Sequence, residues 1–305
     1  MSIWSVFLST DFFFTSIRLM TPILFAALAC MVFSKGGIDP IGTEGIMLSC
    51  ALAGPVGGYF TGSAWGGVIA AMAVGVVLAF LFGYFTLILD TNPVLAGIAL
   101  NTLSGGLTIF MTYYLTGNKG STQSLNSPVV ANIHIPVIES IPIIGPIISG
   151  HSILTYVSLL LTFLLTVFFW KTPCGLRIRA VGENEKSAAS VGINIMKYKY
   201  ISLLIAGCLA GLGGAYMSMS YVSMFSRDMI AGRGWIGMAA ESMGFGIPWK
   251  VACSVFIFGM ADSLAIRLQM LNLPTQLISC IPYVVTIIAI SIYSWQRSRI
   301  RKEKK

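Results

Sequence analysis

The groups in this 305-residue chain whose chemistry stands out are ionisable side chains inside long apolar runs. Glu44, Glu241, Asp262 and Arg267 sit in stretches otherwise built from Leu, Ile, Val, Phe, Ala and Gly. Such a group is costly in hydrocarbon unless it is paired or faces a polar path. The chemistry this favours is the holding of a polar solute or counter-charge. Glu241 lies within GMAAESMGF beside Ser242, and Asn101 lies with Ser104 inside another apolar run. Glu241, Ser242, Asn101 and Glu44 are therefore the candidate lining of a polar path. Packing is the alternative for Glu241, and a cap or interfacial position for Glu44, which begins its run between Gly42 and Gly45. Asp262 and Arg267, five apart and not quite on one helix face, fit a structural position equally well.

Bond-making chemistry finds no support in the residue pattern. The two histidines, His134 and His151, stand alone, and no Ser/His/acid set or GxxxxGK[ST] phosphate loop occurs. The six cysteines, Cys30, Cys50, Cys174, Cys208, Cys253 and Cys280, have no metal-ligand spacing, and most fall in apolar runs where Cys behaves as a small hydrophobe. No catalytic residue, metal site or resident cofactor is assigned. The glycines of 211–214 speak for close helix packing only.

These groups must be positioned by membrane-spanning helices. Hydrophobic residues make up 56% of the chain and charged residues 10%, against roughly 25% charged in soluble proteins. The mean hydropathy is +0.83. Runs of about 20 uncharged residues are the length a helix needs to cross a bilayer, and they are too long for barrel strands. The fold class is an all-α polytopic membrane protein with about nine spans, near 12–33, 44–60, 63–89, 93–115, 151–170, 200–221, 235–247, 251–270 and 277–293. The second is weakened by GPVGGYF and kinked at Pro55, and the seventh is too short to cross alone. The N-terminus lacks the basic n-region and cleavage site of a secretory signal, so the first span is expected to be retained.

The net charge of +8 follows topology and implies no nucleic-acid partner. Six basic residues, Lys171, Arg177, Arg179, Lys186, Lys197 and Lys199, share the polar segment 171–200 with only Glu183 and Glu185. Six more form the basic tail 296–305. Basic clusters beside spans mark the cytoplasmic side. Segment 171–200 and the C-terminus are thus expected in the cytoplasm, the N-terminus outside, and the Pro-, Asn- and Ser-rich segment 116–150 in an external loop, with a small helix along the surface. Within 171–200, Gly182 and Gly192 are expected to break the chain on either side of a short helix N-capped by Asn184, with Glu183 and Glu185 near its start suiting the helix dipole.

That segment carries a resemblance. TPCGLRIRAVGENEKSAASVGINIMKYKY closely resembles the cytoplasmic coupling segment of ABC importer permeases, in the branch serving branched-chain amino acids, simple sugars and nucleosides. The family pattern is met at Thr172, Gly175, Arg177, Arg179, Ala180, Val181, Gly182, Glu183, Asn184, Ala188, Ala189, Gly192 and Ile193. TEGIML, AGLGGAYMSMSYVSMF, AGRGWIGMAA, FGMADSLAIRLQ and LPTQLISCIPYVVTI also look like the family, and GRGWIGMAA with ADSLAIRLQ looks most like its nucleoside-type permeases. The resemblance implies one permease domain over 1–305 and a coupling role for Gly175, Arg177, Arg179, Gly182, Glu183, Asn184, Ala188 and Gly192. It implies partners too: an ABC ATPase subunit that holds ATP and Mg, a second permease subunit, an external substrate-binding lipoprotein, and the inner or plasma membrane bilayer. Departures are Ser187 for a commoner Ala, Pro40 for Asn, Cys30 for Glu, and Glu241–Ser242 for aliphatic residues. Where those positions line the path, the cargo would differ from the usual one. An ion-driven secondary transporter is the alternative of a different class.

Overall fold

The computed structural model describes residues 10–134 and 144–269, together with Val284, Ile287 and Ser291. Among the described residues no strand forms, and the chain runs through helices joined by short turns. The first, α1, spans Thr10–Lys35, and α2 spans Thr43–Thr61 after a one-turn helix at Pro40–Gly42. Next, α3 covers Ala64–Gly83 and ends in a π-helical turn at Tyr84–Ile88. Helix α4, Pro93–Thr116, starts where a helix should: Asn92 accepts a hydrogen bond from the Val94 N–H at its N-terminus and Pro93 fills the first position, where no donor is needed.

The described parts of segment 116–150 fold back on the bundle. Thr122 N–H donates to Phe225 O and Val130 N–H to Met219 O, and isolated bridges join Ser121 to Ser226 and Asn132 to Ser152. The short helix α5, Ile144–Ile148, lies within this segment. Helix α6, Ile153–Lys171, then leads into two short helices, α7 (Pro173–Glu183) and α8 (Glu185–Ser190). A long helix, α9, Ile195–Tyr216, with a π turn at Met217–Tyr221, follows them. The described chain closes with α10, Arg233–Met243, and α11, Pro248–Gln269.

Two helices form the axis of the bundle. The apolar windows of α1 and α9 are 89% and 78% buried, whereas those of α3, α4, α6 and α11 are 22–39% buried. Leu, Ile, Phe and Val side chains of the outer helices, such as Ile69, Leu103, Phe110, Leu160 and Phe163, point outward. In water such a surface would aggregate. In a bilayer it is the lipid face, because hydrocarbon supplies no reason to hide it.

Among the described residues six helices are long and apolar enough to cross a membrane, so the expected count of about nine spans, some short or broken, is not confirmed. The seventh expected span is α10, whose 11 residues reach about 16 Å at 1.5 Å per residue, roughly half a hydrocarbon core. The ninth, near 277–293, and the basic tail 296–305 lie outside the described residues, save Val284, Ile287 and Ser291. The second expected span is α2, which runs through GPVGGYF to Thr61 and stops at left-handed Gly62. Its small residues receive neighbours, with Gly57 against α3 and Gly54 against Met219.

Candidate functional site

Two polar constructions interrupt the apolar bundle. The first is the helix pair α7–α8. Thr172 Oγ1 accepts from Gly175 N–H at 3.2 Å and starts α7, with Pro173 at its first position. Asn184, in extended conformation with φ −158°, ends α7 and caps α8 by accepting from Ser187 N–H at 3.0 Å. Gly192, at φ +79°, turns the chain out of α8, and Asn194 caps α9 by accepting from Lys197 N–H at 3.1 Å. The Asn184 cap and the Gly192 break are where the sequence places them.

Gly182 is not a break. It lies inside α7, and a Cβ there would collide with the Lys35 carbonyl and sit 2.9 Å from Gly37 N. This glycine is needed so that α7 can lie backbone to backbone against the end of α1. Segment 171–200 is therefore no solvated loop. It is an ordered elbow of two helices, and its last residues, including Lys197 and Lys199, already belong to α9.

Its charged groups are tied down to unequal degrees. Arg177 donates to Tyr198 Oη at 2.8 Å, and Arg179 lies 4.8 Å over the Trp170 ring. Lys199 pairs with Glu185 at 2.5 Å. Arg179 also pairs with Glu183 at 3.6 Å, but that carboxylate is 72% exposed, where an ion pair contributes about 0–1 kcal/mol. Ala188 is buried, whereas Val191 at the tip is 74% exposed. The elbow thus presents fixed backbone, outward charges and one projecting aliphatic side chain.

The second construction lies inside the bundle, where α2 and α10 both begin. Thr43, at the start of α2, receives the Cys30 thiol at 3.5 Å. Cys30 is five residues short of the end of α1, so α2 starts about 8 Å inward from that end. A helix that begins among apolar neighbours must find partners for its first N–H groups. Asn101 of α4 supplies one for α2: its Oδ1 accepts from Gly45 N–H at 2.8 Å while its Nδ2 donates to Ile41 O at 3.0 Å.

Glu44 performs the same service for α10. Its Oε1 accepts from Gly232 N–H at 2.8 Å and its Oε2 from Gly234 N–H at 2.6 Å. The carboxylate therefore stands at the N-terminal ends of two helices, its own and α10, where each dipole favours negative charge. Gly234 permits this approach, since a Cβ would lie 2.8 Å from Glu44 Cα and N. Gly232 turns into α10 at φ +82° and carries no capping side chain. Glu44 is the cap from a distance.

Among the four expected path residues, Glu44 and Asn101 are brought together at this junction. Glu241 and Ser242 lie about two turns further along α10, close to Lys35, with Ser242 Oγ 3.5 Å from the Glu241 carboxylate. Asp262 lies on α11, apart from this junction, and Arg267 lies 5.8 Å over the Phe12 ring near the opposite end. Residues not assigned a site role from sequence also take part: Thr43, Gly234, Asn194 and Tyr198. Only Asn194 had a readable signal, a capping side chain just ahead of an apolar helix.

The comparisons agree with this architecture. Residues 12–290 match the family model described as branched-chain amino acid transport system / permease component. The chain belongs to that family. It is 31% identical over 281 residues to the guanosine ABC transporter permease protein of Bacillus subtilis, covering 88% of each chain. It is 28% identical over 286 residues to a nucleoside ABC transporter permease protein of Lactococcus lactis, covering 90% and 89%. A Haloferax volcanii protein assigned as a glucose ABC transporter permease is 27% identical, covering 90% and 89%. Among solved structures, PsaBC from Streptococcus pneumoniae in complex with Fab has TM-score 0.54 at 13% identity, covering 90% of this chain and 89% of that one. That last likeness concerns the fold alone. The chain is thus a multi-pass membrane permease of the ABC transporter type, and α7–α8 is the part of this permease that carries the most specific motif.

Proposed function

We propose that this permease forms the translocation path of an ATP-driven importer for nucleosides. ATP hydrolysis occurs on a separate ATPase subunit that docks on α7–α8, a second permease subunit completes the path, and an external lipoprotein delivers the cargo. The α7–α8 elbow faces the cytoplasm, as does the basic C-terminal tail. The observation that carries this reading is the elbow itself: a capped, close-packed helix pair with outward charges and an exposed Val191, in a chain whose residue pattern offers no nucleotide site. Such a body can be pushed as a unit, and the spans joined to it, α6 and α9, would re-pack between two states.

Within the spans, the seam between α2 and α4 is the place where a polar solute would find partners. Asn101, Ser104, Thr108 and Thr112 lie on the buried face of α4, and a Cβ on Gly45 of α2 would lie 2.9 Å from Ser104 Oγ. Among the described residues the hydroxyls of Ser49 and Ser104 have no hydrogen-bond partner, an uncommon condition for buried polar atoms. Glu44 with Asn101, and Glu241 with Ser242, bracket this half of the molecule as path residues.

The test is uptake of radiolabelled guanosine into proteoliposomes holding the assembled complex with ATP enclosed. Uptake requires ATP and the ATPase. Uptake by this chain alone, driven by a proton or sodium gradient, would overturn the reading. Unlabelled guanosine, glucose and leucine added as competitors separate the nucleoside reading from the sugar reading that the Haloferax relative favours.

A further inference from the structure

The end of α1 is wedged among three elements. A Cβ on Gly36 would run into the Ser202 hydroxyl of α9, and a Cβ on Gly182 of α7 would strike the Lys35 carbonyl. The Lys35 side chain leaves in another direction, toward the turn between α10 and α11. Lys35 Nζ and Glu241 Oε1 lie 2.9 and 3.5 Å from the point a Cβ on Gly246 would occupy. That turn holds two successive left-handed residues, Phe245 at φ 55° and Gly246 at φ 60°. For Phe this backbone costs about 1–2 kcal/mol, so its surroundings must hold it in place.

One ammonium therefore stands between two moving parts. Its field is shared with Arg179 and Glu183 of α7 and with Glu241 of α10, which lies beside it at the Gly246 turn. Arg179 and Glu183 belong to the elbow, whereas Glu241 belongs to the short helix whose other end is capped by Glu44. Attraction between half-buried opposite charges is stronger than between exposed ones and still breakable. It suits a joint that must hold in one state and yield in another.

We propose that Lys35 is a positioning residue: through its backbone contact with Gly182 and the attraction of its ammonium to Glu241 across the Gly246 turn, it passes displacement of the α7–α8 elbow to α10. This inference rests on the ATP-driven permease reading. When the elbow moves, Gly182 carries the end of α1 with it, and Glu183 and Arg179 shift the balance of charge on Lys35. The Lys35–Glu241 pair then transmits the shift to the helix whose first turn meets Glu44.

The test measures ATP hydrolysed per guanosine imported in the reconstituted complex, for Lys35→Gln, Glu241→Gln, the double variant and Lys35→Arg. The ratio is expected to rise at least about five-fold in each single Gln variant, the lower end of couplings between linked sites. The double variant should rise no further, because both singles break one pair, and Lys35→Arg should restore most of the coupling. A ratio in Lys35→Gln below that rise, or a double variant equal to the product of the singles, overturns the proposal. Should Lys35→Gln fail to assemble, Glu241→Gln and the charge-swapped pair Lys35→Glu with Glu241→Lys decide by the same criterion. Loss of ATP dependence in the unmodified complex would instead contradict the permease reading, so the two failures are distinct.

Discussion

The α7–α8 elbow and the Glu44 junction are built from the same parts and turned in opposite directions. Each starts helices with side-chain caps, and each uses a glycine to bring two backbones together, Gly182 in one and Gly234 in the other. In the elbow the caps are local: Asn184 serves Ser187 and Asn194 serves Lys197, three residues on. In the junction they reach across the chain: Glu44 serves Gly232 and Gly234, separated by 188 and 190 residues, and Asn101 serves Gly45 from 56 residues away. A local cap makes a rigid piece that can move as a body. A distant cap fixes where two pieces sit. In the proposed importer the elbow is the part to be pushed, and the junction the part that holds the inner ends of two helices in register.

Substitutions sharpen that difference. Glu44→Ala should have the largest effect, because it orphans two N–H donors at about 1–3 kcal/mol each. Assembled protein and thermal stability in detergent should fall together with uptake. Glu44→Gln keeps one acceptor oxygen and turns an amide N–H2 toward the second donor, so its loss should be about half as large on the same per-bond scale. Equal stability of Glu44→Ala and the unmodified protein would break the comparison.

Asn184→Ala should behave differently. Losing an N-cap costs about 1 kcal/mol, roughly a five-fold change in the ratio of ordered to disordered α8. Uptake per ATP should drop by up to that factor while global detergent stability stays unchanged. Asn184→Gly should lie close to the unmodified protein, since Gly at an N-cap costs only a few tenths of a kcal/mol. If Asn184→Ala lowered stability and uptake in parallel, the elbow would be a structural element like the junction. The smallest effect is expected at Ser242, whose exposed hydroxyl bonds its own helix at Met238 O. Ser242→Ala should shift stability by less than about 0.5 kcal/mol while changing guanosine affinity, and an unchanged affinity would remove Ser242 from the proposed path.

The same contrast explains what could be read from sequence. The long spans were legible because their length and apolarity are one-dimensional properties, and the elbow was legible because its caps and turn lie within a few residues. Asn184 and Gly192 could be placed for that reason. Gly182 was misread as a break, because a glycine chosen for close approach looks the same in sequence as one chosen for a turn. Of the junction only the members were legible: Glu44 and Asn101 stood out, and a cap was one reading of Glu44, but not what each would cap. Nothing in TEGIML or GRGW says that the glutamate of one caps the helix of the other, and the burial of α1 and α9 at the centre follows from contacts that no local pattern encodes. Glu241 and Lys35 illustrate the same point: each is a lone charge in its own stretch, and only the fold brings them together.

The most direct test of the account is where the ATPase touches this chain. A photo-crosslinking residue is placed in turn at Val191, the exposed tip of the elbow, and at Tyr114, 76% exposed near the other end of the bundle. On illumination of the assembled complex, position 191 should capture the ATPase subunit and position 114 should not. Capture from 114 with none from 191 would contradict the assignment of α7–α8 as the site through which ATP energy enters.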